Sequence, residues 1–209
     1  MEDDISKVSE ADWIIEVVVE RLDIKQQVFE KLEKHRKKGT LITSNTSGIP
    51  IQQMNEGRSE DFQQHFCGTH FFNPPRYLKL FEIIPGPDTK PEVLEFLNEY
   101  GEKYLGKKSV LAKDTPAFIG NRIGIFSIMS LFHMVKDMDM TIEEVDKLTG
   151  PVIGRQKSAT FRTVDVVGLD TLVHVANGIY DNCKDDERHD LFKLPGFINT
   201  MMENKWLGS

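Results

Sequence analysis

Short apolar runs rich in β-branched residues alternate with amphipathic stretches as far as residue 113, and no convincing strand pattern follows. Residues 12–19 read Asp-Trp-Ile-Ile-Glu-Val-Val-Val, the pattern of a buried parallel strand. Residues 22–38 put Ile24, Val28, Phe29 and Leu32 on one helical face, with lysines and glutamates on the other. Asp23 near the start and Lys37 and Lys38 near the end suit the helix dipole, and Gly39 is expected to stop the helix. Further strands are expected at residues 40–43, 65–72, 78–84 and 108–112. A short helix is expected at residues 50–54, and a longer one at residues 91–105, opened by Pro91.

The texture then changes. Residues 119–134 read as a long apolar helix, and Thr141 with Glu144 has the spacing of a capping box. Residues 161–180 have helical periodicity with a break expected near Gly168, and residues 195–206 predict a final helix. The expectation is an α/β chain. An α/β part with a parallel sheet occupies residues 1–113, and an all-helical domain occupies residues 114–209. The first strand–helix unit has no Gly-x-Gly-x-x-Gly ahead of it, so the α/β part reads as incomplete.

The net charge of −7 argues against a broad nucleic-acid surface. No apolar run approaches the roughly 20 residues of a membrane span. The start, Met1-Glu2-Asp3-Asp4, is too acidic for a signal peptide. Cys67 and Cys183 lie far apart, with no Cys-x-x-Cys and no zinc-like Cys/His spacing, so no metal is expected. A reduced, cytoplasmic protein is the plain reading. Cys67, beside Phe66, reads as a buried apolar residue rather than a reactive thiol.

Chemistry centres on His70, in Gly68-Thr69-His70-Phe71-Phe72-Asn73-Pro74. A lone histidine in an apolar strand is usually a core residue. Glu82, twelve residues later in Leu80-Phe81-Glu82-Ile83-Ile84, changes the reading. A carboxylate inside an apolar strand is costly to bury without a partner. A His–Glu pair would satisfy both groups and make a general base, while an edge-strand Glu82 facing solvent is the bland alternative. Asn45 and Ser47, in Ser44-Asn45-Thr46-Ser47-Gly48, follow a strand where ligand crevices form, but the composition is also that of an ordinary turn. Asn121 suits a helix cap, a core donor or a ligand contact, and spacing does not separate these.

Taken in order, these segments resemble the 3-hydroxyacyl-CoA dehydrogenase family. The resemblance runs through Ile15-Glu16-Val17-Val18-Val19-Glu20, the Ser44–Ser47 loop, the His70 and Glu82 segments, Lys113-Asp114-Thr115-Pro116 with Phe118-Ile119 and Asn121-Arg122, and Asp165-Val166-Val167-Gly168-Leu169-Asp170. It spans nearly the whole chain. The stretch 155–163, Arg-Gln-Lys-Ser-Ala-Thr-Phe-Arg-Thr, is similar to the longer bacterial members, some fused to an enoyl-CoA hydratase module.

The resemblance implies an oxidoreductase of fatty-acid β-oxidation that uses NAD to oxidise (S)-3-hydroxyacyl-CoA to 3-ketoacyl-CoA. It implies His70 as the base, Glu82 as its orienting partner, and Ser47 and Asn121 as substrate-binding residues. Glu20, Lys25, Asn45 and Asn73 would line the cofactor site. The α/β part would be a truncated Rossmann-type parallel sheet, in a fragment lacking the family's N-terminal glycine-rich, phosphate-binding turn. A homodimer through the helical domain is implied, with acyl-CoA as the ligand. Two rivals stand beside this reading: a related dehydrogenase of a non-CoA hydroxy acid, and an inactive fragment acting only as a dimerisation module.

Overall fold

Five short strands hydrogen-bond in chain order: β1 (Trp13–Glu16), β2 (Leu41–Ser44), β3 (Phe66–Phe71), β4 (Leu80–Pro85) and β5 (Lys108–Leu111). The computed structural model describes residues 5–208, so the acidic opening lies outside the described residues. It divides into two units, Met1–Ile119 and Gly120–Ser209.

In the first unit β1, β2 and β3 run parallel, β4 runs antiparallel to β3, and β5 is parallel to β4. The expected parallel sheet is found, mostly parallel and with one reversal at β4. The cause is the length of the connections. Helix α1 (Leu22–His35) provides the crossover from β1 to β2, and α4 (Pro91–Lys103) the one from β4 to β5. Residues 72–79, between β3 and β4, hold no helix and are too few for a parallel return, which takes about a dozen or more residues.

The inner strands β2, β3 and β4 alternate their side chains between two buried faces. Ile42, Phe66 and Ile84 join Phe29 and Leu32 of α1, together with Ile51 and Met54 of α2 (Ile51–Met54) and Phe62 of α3 (Glu60–Gln64). Leu41, Cys67, Phe81 and Ile83 face Val93 and Leu97 of α4. Covering both faces is what makes the strands read as continuous apolar runs. α3 was not legible as a helix; Ser59 caps it by accepting from the Phe62 amide at 3.3 Å.

β1 is shorter than the apolar run that predicts it. The Asn45 amide bonds the Glu16 carbonyl at 2.9 Å, and the Val18 amide turns to the Glu16 side chain at 2.6 Å. Val17 and Val19 therefore leave the sheet exposed. α1 likewise ends at His35 rather than at Gly39, whose φ of 80° makes the turn into β2.

In the second unit the described residues form α5 (Gly120–Met138), α6 (Ile142–Thr149), α7 (Phe161–Val167), α8 (Leu169–Asn182) and α9 (Gly196–Glu203), without strands. The capping box at Thr141 and Glu144 is formed. Asp146 accepts from the amides of Thr160, Phe161 and Arg162 and so closes the start of α7. Gly168, at φ 96°, breaks the helical stretch where the sequence predicts a break. Phe132, Phe161, Leu172, Ala176 and Ile198 are among the buried residues of this core. No helix among the described residues is long and apolar enough to cross a membrane.

Candidate active site

The carboxyl ends of β1, β2 and β3 lie along one edge of the sheet, and each carries polar residues into the following loop. Such an edge is where open α/β sheets bind ligands. His70 is on β3 and Glu82 on β4, directly opposed in the antiparallel register. Nδ1 of His70 lies 2.7 Å from Oε2 of Glu82. His70 is 4% exposed and Glu82 fully buried. A carboxylate only accepts hydrogen bonds, so Nδ1–H is the donor to Glu82, and in the neutral imidazole with that tautomer the lone pair falls on Nε2. That Nε2 faces the Ser47 hydroxyl at 3.2 Å. The other Glu82 oxygen, Oε1, accepts from the Ile119 amide at 2.9 Å. Phe72 and Phe118 flank the imidazole, with ring centroids 4.5 and 5.7 Å away.

Gly68 explains how Ser47 comes so near. A Cβ on Gly68 would stand 2.7 Å from Ile51 Cδ1 and 3.1 Å from Ile84 Cβ. A bare backbone leaves room for the Ile51 side chain of α2 and for Ile84 against β3.

A second polar cluster supports that loop from β1 and α1. Lys25 is 1% exposed, and its ammonium bonds both Glu16 oxygens at 2.9 Å. Ser44 donates to Glu16 Oε2 at 2.5 Å. Lys25 also lies 3.3 Å from Glu20 Oε2. Oε1 of Glu20 accepts from Thr46 Oγ1 at 2.5 Å and from the Ser47 amide at 2.9 Å. Burial alone would raise the Glu20 pKa, but the hydrogen bonds from Thr46 and Ser47 and the Lys25 charge outweigh it and hold the carboxyl below its ordinary range. Glu20 is thus an anchored anion with an open side.

Of the residues expected from sequence, the structure brings His70, Glu82 and Ser47 into one hydrogen-bonded chain and joins Glu20 and Lys25 to it through the Ser47 amide. Lys25, expected to line a cofactor site, is enclosed and turned to Glu16 and Glu20 instead of presenting an open charge. Asn45 spends its side-chain oxygen on the Phe71 amide, 2.9 Å away, tying the end of β2 to the end of β3. Asn73 is exposed beyond β3. Asn121 is in the first turn of α5, in the other unit. Cys67 is fully buried, and burial pushes its thiol pKa up, so it stays protonated and inert.

Glu16, Ser44 and Thr46 were missed. The signal for Glu16 was present, since it is a carboxylate within an apolar strand, as Glu82 is. Lys25 was its readable partner, because it falls on the helical stripe of Phe29 and Leu32, four residues before Phe29.

Comparison with known proteins gives a consistent picture. Residues 1–115 match the family profile described as "3-hydroxyacyl-CoA dehydrogenase, NAD binding domain", and residues 118–209 match "3-hydroxyacyl-CoA dehydrogenase, C-terminal domain". A Bacillus subtilis protein named "Probable 3-hydroxyacyl-CoA dehydrogenase" is 54% identical over 209 residues, covering 100% of this chain and 26% of that protein. A Deinococcus radiodurans protein of the same name is 49% identical, covering 90% of this chain and 54% of that protein. The chain thus spans from about a quarter to just over half the length of these curated relatives. The crystal structure of M. tuberculosis FadB2 superposes with a TM-score of 0.88 at 29% identity, over 100% of this chain and 71% of that one.

Proposed function

The chain belongs to the 3-hydroxyacyl-CoA dehydrogenase family, and on that premise we propose that the protein oxidises (S)-3-hydroxyacyl-CoA to 3-ketoacyl-CoA with NAD, in fatty-acid β-oxidation. The observation that carries the proposal is the buried His70–Glu82 pair with Nε2 turned to the half-buried Ser47 hydroxyl. Oxidising an alcohol by hydride loss requires a base at the hydroxyl, and Nε2 of His70 takes that proton. Glu82 fixes the imidazole tautomer and stabilises the imidazolium that results. Ser47 lies within reach of the same oxygen and donates to it as it becomes a carbonyl. In the reverse direction His70 returns the proton.

The residues at the strand ends fit a nicotinamide riboside. Glu20 is a charged acceptor suited to ribose hydroxyls, and Asn45 and Asn73 offer amides at the ends of β2 and β3. NAD, when bound, supplies the hydride acceptor. Glu20, Asn45 and Asn73 would hold it, with Lys25 serving through Glu20. Asn121 is assigned to the substrate on the family resemblance.

We also assign the protein to a reducing, cytoplasmic setting, in keeping with two free cysteines. A homodimer through the helical unit is supported by exposed Ile123, Val152 and Val166, apolar side chains that a second copy would cover. Sedimentation of the protein at micromolar concentration checks this.

The function is tested by NADH oxidation with acetoacetyl-CoA, set against free acetoacetate, in the full-length protein that carries this sequence. Turnover confined to the CoA thioester is expected. Equal turnover of the free acid would move the protein to the non-CoA dehydrogenases.

A further inference from the structure

Both nitrogens of His70 depend on neighbours that a single distant residue ties together. Asp114, just beyond β5, accepts from the amides of Ile51 at 3.0 Å and Gln52 at 3.2 Å. These are the first residues of α2, which Pro50 precedes without a side-chain cap. Asp114 therefore caps from 63 residues away a helix whose own sequence offers no cap. α2 in turn is entered through the loop that presents Ser47 to Nε2.

From Asp114 the chain runs as a tight strap to Ile119. The Thr115 amide bonds the Lys113 carbonyl at 2.8 Å, and the Phe118 amide bonds the Thr115 carbonyl at 3.0 Å. Ala117 and Phe118 have φ of 63° and 49°, two successive non-glycine residues in the left-handed region. That conformation is strained and persists only where the surroundings dictate it. Here both ends are fixed. One is the Asp114 cap. The other is the Ile119 amide, which donates to Glu82 Oε1 at 2.9 Å while Phe118 packs beside the imidazole.

We propose that Asp114 is a positioning residue for the proton-transferring pair. By anchoring the strap on α2 it holds the Ile119 N–H against Glu82 and so fixes the carboxylate that orients His70. Releasing the anchor lets Ala117 and Phe118 relax out of the left-handed region. The Ile119 amide then withdraws from Oε1, and the Glu82 carboxylate, with that donor lost, shifts relative to Nδ1. The assignment rests on the reading of His70 and Glu82 given above. Its test uses no substrate, so the two fail separately. A protein with the expected NMR behaviour but no dehydrogenase activity would sink that reading, while the coupling of Asp114 to the His70–Glu82 pair would stand.

The test is NMR of the protein isotope-labelled at histidine and isoleucine, observing the His70 imidazole nitrogens and the Ile119 amide proton in wild type, Asp114→Ala, Asp114→Asn and Ser59→Ala. Asp114→Ala is expected to shift the Ile119 amide upfield and to replace a single Nδ1–H tautomer with a mixture. Asp114→Asn, which keeps an acceptor, is expected to stay close to wild type. Ser59→Ala removes the cap of α3 and loosens the same unit, yet leaves His70 unmoved. If Asp114→Ala does not fold, Asp114→Ser, with one acceptor, should give intermediate shifts. Wild-type resonances in Asp114→Ala or, where that variant does not fold, in Asp114→Ser would overturn the proposal. So would Ser59→Ala shifts as large as those of the Asp114 variant.

Discussion

Nδ1 of His70 lies 2.7 Å from Oε2 of Glu82, and the two residues face each other in register across β3 and β4. The reversal of β4 creates this relation, because the antiparallel pairing sets Glu82 directly opposite His70. Glu82→Gln preserves the shape but removes the charge that stabilises the imidazolium. Its kcat is expected to fall by about 10²–10⁴-fold, the usual worth of general acid–base catalysis. Steady-state kinetics of the full-length protein, with circular dichroism to confirm folding, would show it. A kcat within twofold of wild type would mean that Glu82 is only a buried partner.

Ser47 touches Nε2 from the surface side and is half-buried, so it acts on chemistry more than on folding. Ser47→Ala should cost about 1–2 kcal/mol of transition-state stabilisation, roughly five- to thirtyfold in kcat/KM. The thermal midpoint should move little. A large fall in stability with unchanged kinetics would assign Ser47 to the loop alone.

Lys25 and Glu16 form a buried ion pair with Ser44 as third partner. Lys25→Met leaves the Glu16 carboxylate enclosed without its cation, and a loss of about 3–5 kcal/mol is expected. Adding Glu16→Gln should restore much of that loss, since the stranded charge is gone. Urea unfolding of the two single variants and the double variant measures the coupling. Additive losses would show that the pair does not act as a unit.

Glu20 sets a pH dependence of known sign. Its folded pKa is lowered, since the hydrogen bonds and the Lys25 charge outweigh burial. The folded state therefore binds fewer protons than the unfolded chain near the glutamate titration. The resulting stability is fully present above the ordinary glutamate pKa, about 4.3, and fades as pH falls through the lower folded value. The gap in unfolding midpoint between wild type and Glu20→Gln should be constant near neutrality and narrow below about pH 4. A gap that widens on acidification would contradict the sign.

Much of the site was legible because it is made of residues that violate the local pattern. Glu82 stands out in an apolar strand, and burial explains why it must have a partner. The Thr141–Glu144 box and the break at Gly168 were readable because each is settled within a few residues. The reversal of β4 was less so. It depends on the length of residues 72–79, and apolar patterning does not encode strand direction. The strap from Asp114 was hidden for a different reason. Asp114 and Ile51 are 63 positions apart, and Ile119 contributes a backbone amide, which carries no residue signature. Lys25 shows the limit from the other side. The resemblance gave it a place at the cofactor, while the structure encloses it against Glu16 and makes Glu20 the group that faces outward.

The account turns on His70 as the group that takes the substrate proton. The direct measurement is NADH oxidation by acetoacetyl-CoA in full-length wild type and His70→Gln, with binding of the thioester followed separately. Glutamine keeps a polar side chain at the site but cannot exchange the proton. A fall in kcat of about 10²–10⁴-fold with thioester affinity nearly unchanged is the predicted result. Wild-type turnover in His70→Gln would contradict the account.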